Sequence, residues 1–140
     1  MTIITSPKYL RVAFVIHSLY FIFYALILDF LVSWFGGLFE LPVPQTVIGW
    51  AATDIAAGEL LAVASLFLLA SFQKELPRFV LAVTLIQTTY NLYHDAVWFR
   101  QGYPFILVLI DTILIGTLFI TYVLAWCTAK PLSLSRLSKK

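Results

Sequence analysis

Residues 79–99 read FVLAVTLIQTTYNLYHDAVWF. Within this stretch Thr84, Gln87, Thr88, Asn91, His94 and Asp95 follow one another at spacings of three and four. That spacing lines side chains along one face of an α-helix, whereas a strand would alternate every second residue. The remaining surface is almost wholly apolar, and a helix of this length crosses the roughly 30 Å of a bilayer's hydrocarbon. In lipid such a polar stripe must face protein or water, because each unsatisfied group costs several kcal/mol. The stretch therefore predicts a membrane-spanning helix with neighbours.

Those neighbours lie on both sides in the sequence. Apolar runs at about 12–35, 51–72 and 105–126 are each long enough to span, and together with 79–99 they account for most of the 140 residues. The connections GGLFELPVPQ (36–45), QKELPR (73–78) and RQGYP (100–104) carry the Gly, Pro and charge expected where the chain turns. Short connections make sequential helices antiparallel neighbours. The expected architecture is an all-α polytopic membrane protein, four transmembrane helices in an up-down-up-down bundle over 1–128, followed by a basic tail at 129–140.

Lys8, Arg11, Lys74, Arg78, Lys130, Arg136, Lys139 and Lys140 all fall on one side of this layout, and only Arg100 on the other. The excess of basic residues predicts that both termini are cytoplasmic. The first span follows basic residues but is too long for the apolar core of a signal peptide and has no small-residue cleavage site, so it is expected to be retained. Trp34, Trp50, Trp98, Tyr103 and Trp126 sit near span ends, where aromatic residues anchor helices at the interface.

Composition excludes several classes. At 61% hydrophobic and 11% charged, the chain has more apolar surface than a soluble domain of its size could cover. The single Cys127 allows no intrachain disulfide and no zinc or iron–sulfur spacing. The net charge of +2 resides in short flanking segments, without the basic patch that nucleic acid requires. No cofactor is expected. His17 and His94 lie at opposite depths, which excludes a bis-His haem within one chain, no lysine inside a span could carry a retinal Schiff base, and no Glu-x-x-His pair suggests a di-metal bundle. Oxygen ligands clustered at one depth would suit a hard cation, although no metal site is assigned.

Seven ionisable groups fall inside the spans: His17, Asp29, Asp54, Glu59, His94, Asp95 and Asp111. Such residues are costly in a bilayer and mark functional positions by default. At about 1.5 Å per residue, Asp29, Asp54, His94, Asp95 and Asp111 share a layer in the outer leaflet, and Glu59 lies deeper. With Asn91 these residues, apart from His17, form the candidate ligand-binding set: Asp29, Asp54, Glu59, Asn91, His94, Asp95 and Asp111. Asp54 and Glu59 are about 140° apart around their helix, so they address different partners. The Ala- and Gly-rich AATDIAAGELLAVAS (51–65) permits close helix approach. His17, beside Ser18, Tyr20 and Tyr24, reads as a packing residue.

The N-terminal YLR (9–11), the Gly- and Pro-containing first outer loop, the small-residue second span, the basic inner turn and LIDTILIG (109–116) together resemble the small four-helix bacterial membrane proteins of the DoxX-like and related groups. That resemblance implies a four-helix bundle in a bacterial plasma membrane. Asp29, Glu59 and His94 are the positions at which the chain also resembles, more weakly, the emopamil-binding and sigma-2-like proteins, which carry membrane-embedded acids and include sterol isomerases.

Three functions are consistent with these observations. The first is a membrane protein binding a partner, a second copy of itself, or a hydrophobic or cationic small molecule through an acidic outer-leaflet pocket, alone or as an accessory subunit. The second is an enzyme acting on a lipid-like substrate with His94 or Glu59 as general acid or base. The third is proton or ion transport, for which only His17 continues the path below Glu59.

Overall fold

The computed structural model describes residues 2–41 and 44–129. The expected basic tail, with Lys130, Arg136, Lys139 and Lys140, lies outside them apart from Ala129. In chain order the elements are strand β1 (Ile3–Thr5), helices α1 (Lys8–Leu26), α2 (Val32–Phe39) and α3 (Val47–Phe72), strand β2 (Glu75–Pro77), and helices α4 (Arg78–Arg100) and α5 (Phe105–Thr128). A π-helical turn at Ile27–Leu31 joins α1 to α2. All four expected spans are helical and extend beyond the apolar runs that predict them, except that 51–72 keeps its end and 105–126 its start.

Among the described residues three helical stretches, Lys8–Phe39, Ile48–Phe72 and Phe105–Thr128, are long and apolar enough to cross a membrane. Helix α4 has 23 residues but does not join them by composition, because its polar stripe dilutes its apolar content. The all-α expectation is corrected at one place: β1 and β2 form an antiparallel pair with Ile3 opposite Pro77, Ile4 opposite Leu76 and Thr5 opposite Glu75.

The chain forms two compact units, one of Phe14–Ser71 and one of the described residues up to Ala13 together with those from Phe72 onward. In the Phe14–Ser71 unit, α1 and α3 meet through aromatic and small residues. His17 stacks on Phe67 with ring centroids 4.4 Å apart and on Phe21 at 4.9 Å. The Ser18 hydroxyl donates to the Ala64 carbonyl at 2.8 Å, an approach that the small, buried Ala64 allows.

In the other unit α4 and α5 form an antiparallel hairpin. Val108, Asp111, Ile115, Leu118, Tyr122 and Ala125 are buried on α5 at alternating spacings of three and four, the seam of helices packed at a shallow angle. Leu81, Thr84, Thr88 and Asp95 are the buried residues of α4. The turn between them is closed by Tyr103 N–H to the Trp98 carbonyl and Gly102 N–H to the Phe99 carbonyl, with Gly102 at φ +82°. This is a Schellman motif, and Pro104 then starts α5.

The strand pair ties the N-terminal segment to the opposite end of this unit, at the start of α4 and the end of α5. Ser6 N–H donates to the Lys74 carbonyl, Arg78 N–H to the Thr2 carbonyl, and the Tyr122 hydroxyl to the Ala13 carbonyl. Tyr9 and Thr128 share a hydroxyl hydrogen bond of 3.1 Å. Lys8, Lys74, Arg78 and the C-terminal end of α5 thus lie at one end of this unit.

Candidate functional site

The hairpin brings two of the expected residues into contact. Asp95 lies one turn before the end of α4, and Asp111 lies in the second turn of α5, so the antiparallel arrangement sets them at matching heights near the connecting turn. Both are buried, at 2% and 5% exposure. Thr112 donates its hydroxyl to Asp95 Oδ2 at 2.9 Å, the Asp111 carboxyl is close enough to interact with that of Asp95, and Asp95 Oδ1 is buried with no hydrogen-bond partner among the described residues. Asn91, one helical turn before Asp95, and His94 beside it are half-buried.

An aromatic group surrounds His94 on the same helix end. Its ring centroid is 4.5 Å from that of Tyr90, 5.8 Å from Tyr93 and 6.0 Å from Trp98, and Trp98 in turn stacks on Tyr103 at 5.8 Å. The edge-on geometries place ring hydrogens against ring faces, the arrangement that aromatic quadrupoles favour. Trp98 and Tyr103, expected as interfacial anchors, stack on each other at the turn end of the hairpin. Arg100 is exposed at the last residue of α4, while the hydrogen bond to Asp95 comes from Thr112.

The other expected residues are elsewhere in the chain. Asp29 occupies the π-helical turn and is exposed, and Asp54 and Glu59 are exposed on α3; all three belong to the Phe14–Ser71 unit. His17 is fully buried within its aromatic stack, in keeping with a packing role. Among the described residues no group of three His, Cys, Asp or Glu side chains could hold a metal ion.

Thr112 is the site residue that sequence reasoning missed. Threonines in these helices mostly bond to their own backbone: Thr88 to the Thr84 carbonyl, Thr117 to Ile113, Thr121 to Thr117 and Thr128 to Leu124. A threonine beside an acid therefore carries little signal until its rotamer is known. Of the stripe on α4, Thr84 and Thr88 satisfy themselves in this way, whereas the buried Gln87 Oε1 has no hydrogen-bond partner among the described residues.

No protein-family model, curated protein or solved structure matches the chain.

Proposed function

We propose that this chain is a small integral membrane protein that binds a cationic group, on a small molecule or a partner protein, through the acidic site of the α4–α5 hairpin. The observation that carries this reading is the contact between Asp95 and Asp111, two nearly fully buried carboxyl groups with a hydroxyl donor at one of them. Packing alone does not call for it. Buried charged groups are often replaceable by apolar residues of similar volume without loss of stability, and the rest of the seam is already closed by Val108, Ile115 and Leu118. Two carboxyls held together attract positive charge.

In this reading α4 is the third of four spans. Its 23 residues give about 35 Å of helix, it lies antiparallel to the apolar α5, and its polar groups Thr84, Thr88 and Asp95 are buried while Phe79, Val83 and Ile86 are exposed. Four spans return both termini to the basic, cytoplasmic side of a bacterial plasma membrane and put the acidic site in the outer leaflet.

The test is native mass spectrometry and thermal unfolding of the gently extracted protein, as wild type and as Asp95→Asn and Asp111→Asn. Asparagine keeps the shape and an acceptor while removing one of two like charges. Both variants should therefore be at least as stable as the wild type, and both should lose the bound cationic species. Full retention of that species by both variants would refute the assignment.

A further inference from the structure

Helix α3 carries a face that the packing of its own unit leaves open. Its buried residues Ala57 and Ala64 lie about 160° and 140° around the helix from Glu59, at roughly 100° per residue. On the Glu59 side, Ile48, Ala52, Ile55, Glu59, Ala62 and Leu66 recur at alternating spacings of four and three, and all six are exposed. That is the spacing by which one helix packs along another at a shallow angle. The face also permits close approach. Ala52 and Ala62 are small, and a Cβ added at Gly58 would meet nothing within 4 Å, so no contact inside this unit requires that glycine.

Glu59 identifies what the face can receive. It lies halfway along the 26 residues of α3, a helix long and apolar enough to cross a membrane. Its carboxyl is therefore about 18 Å from either helix end, too far for so short a side chain to reach an interface. Among the described residues no hydrogen bond or ion pair reaches it. An acid at this depth is costly against lipid and in membranes is met by an opposite charge. The 140 residues place no such charge there: Lys8 and Arg11 are in the first turn of α1, Lys74 precedes β2, Arg78 and Arg100 are the first and last residues of α4, and the other four follow α5. A second copy, parallel or antiparallel, would thus bring Glu59 another carboxyl and no cation.

We infer that this face of α3 docks a transmembrane helix of a different protein, one that carries a lysine or arginine at its midpoint, and that Glu59 pairs with that residue. Ala52, Gly58 and Ala62 leave room for the long basic side chain, while Ile48, Ile55 and Leu66 pack against the partner's apolar residues. The face belongs to the Phe14–Ser71 unit and is independent of the Asp95–Asp111 site.

The experiment uses the full chain in phosphatidylcholine vesicles, labelled with a donor fluorophore at its single Cys127, and acceptor-labelled synthetic transmembrane helices as probes. One probe is all leucine, a second has one lysine at its midpoint, and a third has that lysine one turn from its end. Half-maximal energy transfer should need about tenfold less of the midpoint-lysine probe than of the other two. Glu59→Gln should remove that preference, and Ala62→Leu, which fills the space beside Glu59, should weaken it. Asp54→Asn, about 140° away around the helix, should leave it unchanged. Equal transfer with all three probes, or an undiminished preference in Glu59→Gln, would overturn the proposal. So would association between donor- and acceptor-labelled copies of the chain, without any probe, that Glu59→Gln abolishes, since the face would then belong to a second copy.

Discussion

Gly102 and Glu40 both close helices in the left-handed region, at φ +82° and +54°. At Gly102 an added Cβ would meet nothing within 4 Å, so Gly102→Ala tests the backbone conformation alone. It should destabilise the hairpin by about 1 kcal/mol, measured as a lower midpoint of thermal unfolding in detergent. At Glu40, where the Leu41 N–H bonds back to the Gly36 carbonyl at 2.8 Å, the penalty is already present, and Glu40→Gly should stabilise by a similar amount. An unchanged midpoint in both variants would show that these ends do not limit stability. The first turn was legible, since RQGYP carries its Gly and Pro at the positions a helix stop needs. The second was not, because a glutamate gives no sign of a left-handed conformation.

Between elements, the decisive contact is that of α4 with α5. Ile115 is fully buried on the seam, whereas Ile113, two residues earlier, is 61% exposed. Ile115→Ala should cost about 2–4 kcal/mol and Ile113→Ala well under 1, a contrast that unfolding of the two variants in one detergent will reveal. Similar losses would mean that the hairpin is not packed along this seam. The stripe at Thr84, Gln87, Thr88, Asn91, His94 and Asp95 was visible as a helix face because period 3.6 is a local property. That Thr84 and Thr88 would bond to their own helix, and Asp95 to Thr112, depended on which facing residues the hairpin register supplied. The strand pair left no readable trace: each strand has three residues, and the partners are at least seventy positions apart. A segment so short is set by docking of Ile4 and Leu76, not by its own propensity.

For the whole molecule, the membrane orientation has a direct probe in the single cysteine. Cys127 is exposed near the end of α5, beside the Arg78–Trp126 contact. With both termini cytoplasmic, a membrane-impermeant maleimide should label Cys127 only after the cells are permeabilised. Gln101→Cys in a Cys127→Ser background should label from outside without permeabilisation. The reverse pattern would invert the topology and move the acidic site to the inner leaflet.

Sequence alone determined that this chain is largely helical and built for a bilayer, because helix period, span length and hydrophobicity are summed over neighbouring residues and survive any tertiary arrangement. Only the tertiary structure decided that Asp95 and Asp111 form a contact with Thr112, that Asp29, Asp54 and Glu59 have exposed side chains, and that Ile3–Thr5 pairs with Glu75–Pro77. Depth along a helix follows from counting residues, but which side chains meet follows from helix rotation and register. Those are set by packing between segments distant in sequence.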